Sequence, residues 1–314
     1  MNEEKDFYDR LSQKGISRRD FMKYCGFLTA TMGLSSSFIP KVAEVFAAPK
    51  QRPPVIVLHF GECTGCSEAL LRTMYPWIDE LVLDIVSIEY HETIFAAAGR
   101  QMEDNLHAAV KKHNGKFLCL VEGAIATKYD GAYGKIAGRT FLQIARDVCP
   151  KAAAVIAHGS CAAFGGIQAA APNPGGYKGV GDALGMKVVN ISGCPPNPVN
   201  LVGTIVNYLL LGKLPELDDL GRPLFAYGKT IHDQCPRRCH YENEEFVLKF
   251  GSEEAKLGYC LYMMGCKGPD TYNNCPIAKF NDGTSWPIEA GHPCIGCSEP
   301  GFWDNMTPFF KQET

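Results

Sequence analysis

Residues 59–71 read HFGECTGCSEALL, and within them Cys63 and Cys66 form a C-x2-C pair at the end of an apolar run. Two thiolates at that spacing can grip one edge of a metal site. A closed tetrahedral site or a cubane cluster needs about four protein ligands, so further ligands must come from elsewhere in the chain. The other residues able to do such chemistry are Cys161 in HGSCAAFGG, Cys194 in SGCPPNP, and His232 with Cys235 in IHDQC. Cys260 and Cys266 follow in YCLYMMGCKGP, then Cys275 in NNCP, and Cys294 with Cys297 in HPCIGC.

The chain has 314 residues, a formal net charge of −3 and 46% hydrophobic residues. That length buries at least one full core and suggests two domains. The near-neutral charge argues against a nucleic-acid or anionic-membrane surface. The outlier is the count of 14 cysteines. An even count in a small exported protein would suggest disulfides. This chain is too large to need such staples, and its cysteines sit in C-x2-C pairs and Gly/Pro-rich loops, a pattern that favours metal.

The N-terminus carries an address. SRRDF at residues 17–21 precedes a weakly apolar run, FLTATMGLSSSFIP, and then VFAAPK, with small residues at Val45 and Ala47. Basic region, apolar region and A-x-A-like site together have the layout of a twin-arginine signal peptide, cut after Ala47. An ordinary basic N-terminal helix is the competing reading. Because that export route carries folded proteins, cofactors would be inserted in the cytoplasm, where thiols stay reduced. No later run approaches the ~18 apolar residues that span a bilayer, so the mature chain is expected to be soluble, without a transmembrane anchor of its own.

The elements that must position the cysteines are legible over residues 48–217. PPVIVLHF is a continuous apolar run, as expected of a strand buried on both faces. SEALLRTMYPWI reads as a helix, LVLDIVSIEYH as a strand, and RQMEDNLHAAVKKH as an amphipathic helix ending in basic residues before Gly115. KFLCLVEG (strand), TFLQIARDVC (helix), AAAVIAHG (strand), KVVNISG (strand) and NPVNLVGTIVNYLLLGKL (a long helix) follow. Alternating strands and helices predict a parallel sheet with right-handed crossovers, an α/β, flavodoxin-like domain of three layers. Ligands in such sheets collect beyond the C-terminal strand ends. Cys63 and Cys66 follow the first strand, Glu122 the third, Cys161 the fourth and Cys194 the fifth. Four cysteines can therefore converge on one cluster.

Residues 218–314 are rich in Gly, Pro, Asn and Cys and show little periodicity. They are expected to form a small, irregular domain that lacks the apolar content for a core of its own and depends on cross-links.

ECTGCSE, HGSCAAFGGIQAA, GCPPNP, HDQCPRR, CLYMMGCKGP, NCP and WPIEAGHPCIGCSEPGFWD, with the N-terminal signal, run in order through essentially the whole chain. In these stretches the sequence resembles the small subunit of nickel–iron hydrogenases of the exported uptake type. The resemblance implies three clusters in a row. Cys63, Cys66, Cys161 and Cys194 would hold a proximal 4Fe–4S cluster. His232, Cys235, Cys260 and Cys266 would hold a distal 4Fe–4S cluster. Cys275, Cys294 and Cys297 would hold a medial 3Fe–4S cluster, with Pro287 standing where a fourth cysteine would have bound an iron. Thiolates are the soft ligands such clusters require, and an imidazole in place of one thiolate removes negative charge and generally raises the potential.

The same resemblance implies an oxidoreductase acting on H2 whose nickel–iron site lies in a large partner subunit, in an obligate heterodimer. This chain would contribute no catalytic residue and no nickel ligand. It would conduct electrons to an external acceptor, a cytochrome or a quinone-linked partner. The protein would be periplasmic, with any membrane association made through a partner. The proximal loops, Glu122 and the AAFGGIQAAAPNPGGY stretch would face the large subunit. Gly65 and Gly166 stand where oxygen-tolerant members carry extra cysteines, which implies an ordinary cubane and an oxygen-sensitive enzyme. Cys25 lies in the signal, Cys119 is expected in the core, Cys149 ends a helix, and Cys239 reads as a surface thiol. A stand-alone multi-cluster carrier and a colourless zinc-binding or disulfide-stapled exported protein are the alternatives. The first would be stable without a nickel subunit, and the second would lack a paramagnetic cluster signal. The export signal argues against a cytoplasmic hydrogen sensor.

Overall fold

The apolar runs form a five-stranded, wholly parallel sheet: β1 (Pro54–His59), β2 (Ser87–Tyr90), β3 (Leu118–Glu122), β4 (Ala154–His158) and β5 (Val189–Ile191), in the order β2-β1-β3-β4-β5. This is the flavodoxin-like order, with its switch point between β1 and β3. A computed structural model describes residues 3–47, 52–73, 85–281 and 283–310. The helix expected over residues 67–78 is described as far as Leu71. Its remainder, the start of the strand expected from Leu81, and residues 48–51 after the expected cut lie outside the described residues.

Both faces of the sheet are buried, which is why its strands read as unbroken apolar runs. In β1, Ile56 and Leu58 face one layer, and Val55 and Val57 the other. The first layer holds α5 (Gly99–Lys112) and α6 (Phe141–Val148). In α5, Met102, Leu106, Ala109 and Val110 bury one stripe. In α6, Thr140 and Gln143 close a capping box at the N-terminus. The second layer is dominated by α9 (Pro198–Leu211), whose Leu201, Val202, Ile205 and Val206 join the core. α4 (Gly65–Leu71) precedes these helices in sequence, and the short α7 (Ser160–Phe164) and α8 (Val180–Leu184) stand between α6 and α9.

The N-terminal stretch is more than a weakly apolar run. It folds into α1 (Glu3–Gln13), α2 (Arg18–Thr31) and α3 (Ile39–Ala47). Phe21, Cys25 and Leu28 recur at helical spacing and are buried, as are Val42 and Phe46. All join the apolar cluster that contains α9.

Beyond Leu211 the helices among the described residues are short, none longer than five residues. The expectation that this part lacks a core is corrected. Ile231, Val247, Leu261, Met264, Trp286 and Ile288 form a small buried cluster that includes Cys275 and Cys294. The apolar residues are scattered through loops, so no periodicity advertises them. Among the described residues no helix is long and apolar enough to cross a membrane.

Candidate metal centres

The parallel register aligns His59 with Glu122, Glu122 with His158, and His158 with Ile191 at the C-terminal edge of the sheet. The loops leaving that edge carry Cys63, Cys66, Cys161 and Cys194, and the structure brings all four together. Burial pushes the Cys66 thiol far up, and Glu122 and the thiols of Cys161, Cys194 and Cys63 add to it. Burial pushes the Cys161 thiol up to about 11, with Cys194 and Cys63 adding. Cys194 is raised by burial and by Cys63. Every pair in the set is thus within electrostatic reach.

Glu122, expected to face the large subunit, is turned into this chain. It is 2% exposed and lies under the C-x2-C loop. Its Oε1 accepts the Cys66 N–H at 3.1 Å, and its Oε2 accepts the Ser67 N–H at 3.0 Å and the Ser67 hydroxyl at 2.5 Å. A buried carboxylate needs such donors, and the N-terminus of α4 supplies them.

The C-terminal thiols gather into two further groups. Cys235 and Cys260 are both raised by burial and then by the Cys266 thiol, and Cys260 also by Cys235. His232 opens the turn that ends at Cys235, its ring edge-on to Tyr241 at 4.7 Å. A Cβ on Gly268 would stand 3.4 Å from the Cys266 sulfur and 3.7 Å from the His232 backbone nitrogen, so these two loops meet there. Cys275 is raised well up by burial, then by Cys297 and Cys294. These three cysteines and Pro287 line one cavity of about 470 Å³, together with Thr271 and Trp286.

The groups are also linked to one another. Burial pushes Cys297 up to about 11, opposed by the backbone N–H of Cys194, while the Cys194 thiol adds to the rise. Ser160 donates its hydroxyl to the Cys297 carbonyl and accepts the Gly193 N–H at 2.9 Å. At the other end, the Cys294 N–H donates to the Cys266 sulfur at 3.4 Å.

The residues fit iron–sulfur clusters. The donors are thiols grouped in threes and fours with one imidazole nearby, soft ligands of the required kind. Space beside the sulfurs is kept by missing side chains. A Cβ on Gly159 would stand 2.4 Å from the Cys66 sulfur, and one on Gly166 2.3 Å from that of Cys161. A metal displaces a proton from each thiol it binds. Of the remaining cysteines, Cys119 and Cys149 are buried with sulfurs 4.0 Å apart, Cys25 is buried and Cys239 is exposed.

The sequence reading missed a polar layer beneath the first group. His59 Nδ1 lies 3.5 Å from Glu62 and 3.9 Å from Glu122, and its ring stands 4.7 Å from that of His91. Burial pushes His91 and His158 down to about 4, leaving both neutral. The available signal was polar residues closing otherwise apolar strands.

Comparison with known proteins decides the family. Residues 227–310 match the family of the C-terminal part of the NiFe/NiFeSe hydrogenase small subunit, and residues 63–208 match the family of the 20 Kd subunit of NADH ubiquinone oxidoreductase. The chain is 55% identical over 306 residues to the periplasmic [NiFe] hydrogenase small subunit 1 of Nitratidesulfovibrio vulgaris, covering 96% of each. The chain belongs to the nickel–iron hydrogenase small subunits. It is also 50% identical to the quinone-reactive Ni/Fe-hydrogenase small chain of Wolinella succinogenes, over 95% of this chain and 85% of that one. The reduced, active NiFeSe hydrogenase of Desulfomicrobium baculatum superposes with a TM-score of 0.78 at 39% identity, covering 84% of this chain and 100% of that one. As a hydrogenase small subunit, the chain is the electron-transfer, iron–sulfur partner of a large subunit that carries the nickel–iron site.

Proposed function

We propose that this small subunit holds a proximal 4Fe–4S cluster on Cys63, Cys66, Cys161 and Cys194. A medial 3Fe–4S cluster sits on Cys275, Cys294 and Cys297, and a distal 4Fe–4S cluster on His232, Cys235, Cys260 and Cys266. When bound, these groups supply one-electron carriers between the nickel site of the large subunit and an external acceptor, a cytochrome or a quinone-linked partner. The observation that carries this reading is the continuity of the three thiol groups: Cys194 against Cys297, and Cys294 against Cys266.

The chain's own residues hold these groups, exclude water and aim backbone donors at the sulfurs. Pro287, on the wall of the medial cavity, offers no ligand atom, which favours three irons there. Gly65 and Gly166 add no thiol beside Cys63 and Cys161, so the enzyme is oxygen-sensitive, and activity that survives sustained air contradicts this. Residues 1–47 are a twin-arginine leader removed on export to the periplasm. Supporting this, the solved Desulfomicrobium chain leaves 16% of this chain uncovered while being fully covered itself, a share close to the length of the leader.

Anaerobic co-purification with metal analysis tests the assignment. About eleven irons in this subunit are expected, with nickel and a further iron in the larger partner. Eight or twelve would sink the cluster set.

A further inference from the structure

The long helix α9 is covered on every side. Asn200, Leu201, Val202, Gly203, Thr204, Ile205, Val206 and Asn207 are consecutive and all buried. A helix on the outside of a three-layer domain is normally amphipathic, and one that is apolar all round is built to be enclosed. Its inner side rests on the sheet. Its outer side is covered by the leader, since α2 and α3 both pack on it, together with the Phe225 ring, which stands 3.2 Å from where a Cβ on Gly203 would be. The Leu28 methyl lies 3.6 Å from where a Cβ on Gly203 would stand, so α2 sits directly against the α9 backbone. Meanwhile Arg18 and Arg19 remain exposed at the start of α2, which Ser17 caps by accepting the Asp20 N–H at 3.1 Å.

This cover is temporary if residues 1–47 are removed, and its loss would bare an apolar helix face. That face continues the proximal edge: two prolines after Cys194 comes Asn197, whose side chain caps the start of α9. The surface the leader covers is therefore contiguous with the loops that must meet the nickel-bearing subunit, whose obligate interface is large and apolar.

We infer that the leader is a place-holder on the outer face of α9, and that the large subunit takes the same face, so the two occupy it alternately. Docking of the large subunit lifts α2 and α3 from the body. This rests on the reading of residues 1–47 as a leader and of the chain as half of a heterodimer.

A native thiol reports the state of the cap. Cys25 is fully buried in it, whereas Cys239 is exposed and serves as an internal control. The test pulses the full-length, cluster-loaded precursor anaerobically with iodoacetamide and follows each cysteine by peptide mass spectrometry, with and without purified large subunit. In the precursor alone, Cys25 is expected to react at least about tenfold more slowly than Cys239. With saturating large subunit its rate should rise towards that of Cys239. Continued protection of Cys25 in the heterodimer overturns the proposal, because cap and partner then sit on different faces. Reactive Cys25 in the precursor alone also overturns it, as does release that depends on precursor concentration without the large subunit.

Leu28→Asp gives a second arm. By breaking the cap's packing it should tighten large-subunit binding by about tenfold, since a competing occupant lowers apparent affinity by the fraction of free face. Unchanged affinity counts against competition. The mass of the exported chain separates the two failures: a retained N-terminus refutes the leader reading, whatever Cys25 shows.

Discussion

The backbone N–H of Cys294 points at the sulfur of Cys266 across 3.4 Å, so a proposed medial ligand donates to a proposed distal one. Hydrogen bonds to cluster sulfurs tune potential. Cys266→Ala and Cys260→Ala should each abolish the distal cluster, but only the first leaves the Cys294 N–H without its acceptor. The medial three-iron signal in electron paramagnetic resonance should therefore shift in Cys266→Ala and stay unchanged in Cys260→Ala. Identical medial spectra in the two variants would refute the link.

Pro287 shares the medial cavity with Cys275, Cys294 and Cys297. Pro287→Cys should add a thiolate there and convert the cluster towards 4Fe–4S, with a lower potential because negative charge is added. Redox titration checks the direction, and metal analysis should find about one more iron per subunit. An unchanged three-iron signal would show that position 287 does not face the vacant corner.

Gly159 has φ +96°, and a Cβ there would meet the Cys66 sulfur at 2.4 Å. Gly159→Ala combines backbone strain of about 1–2 kcal/mol with a contact that cannot be relieved without moving a cluster ligand. Loss of the proximal cluster is expected, with medial and distal signals retained in whatever chain still folds. A full proximal signal in Gly159→Ala would mean that the loop has more freedom than the packing implies.

Burial pushes the Glu92 carboxyl up to about 7, and Glu103 and Glu62 add to it against the His59 N–H at 3.4 Å. The unfolded carboxyl ionises near about 4.3. The folded state therefore holds the proton more tightly, and the contribution of this group to stability falls as pH rises from about 4.3 through 7. Glu92→Gln should stabilise the subunit by about 1–2 kcal/mol at pH 8, a value reduced for partial solvent screening, and by much less at pH 5. Anaerobic denaturant melts at the two pH values measure this. An equal shift at both would show that folding does not make this carboxyl hold its proton more tightly.

The sheet was legible because its signal is local. Unbroken apolar runs such as PVIVLH, short and bounded by Pro and Gly, read as strands buried on both faces, and the cysteines just beyond them could be matched to strand ends. Three features depended on contacts distant in sequence. The leader's packing on α9 is invisible until Leu28 and Gly203 are brought together. The burial of Glu122 follows from the donors of Cys66 and Ser67, 56 and 55 positions away. The core of the C-terminal part joins Ile231 to Ile288 through turns without period. The cysteine groups there rested on resemblance alone until folding set Cys275 beside Cys294 and Cys297.

Arg222 ties the C-terminal loops to one another where they meet the end of the sheet domain. It is 3% exposed and reaches Asp218 at 2.7 Å, Glu299 at 2.8 Å and the Ser298 carbonyl at 3.3 Å. Glu299 also accepts the Tyr272 N–H at 2.7 Å, and Ser192 donates to the Ser298 carbonyl at 2.8 Å. The segment carrying Cys297 is thereby fixed to the end of β5. Arg222→Met would leave Glu299 buried without its cation, a loss of about 3–5 kcal/mol. Arg222→Lys should rescue little, because one ammonium cannot span two carboxylates and a carbonyl as the guanidinium does. In a thermal ramp followed by electron paramagnetic resonance, both variants should lose the medial signal at a lower temperature than the wild type. The proximal signal, held by loops that Arg222 does not touch, should outlast it, and simultaneous loss of the two would show that Arg222 supports the whole fold rather than the Cys297 segment.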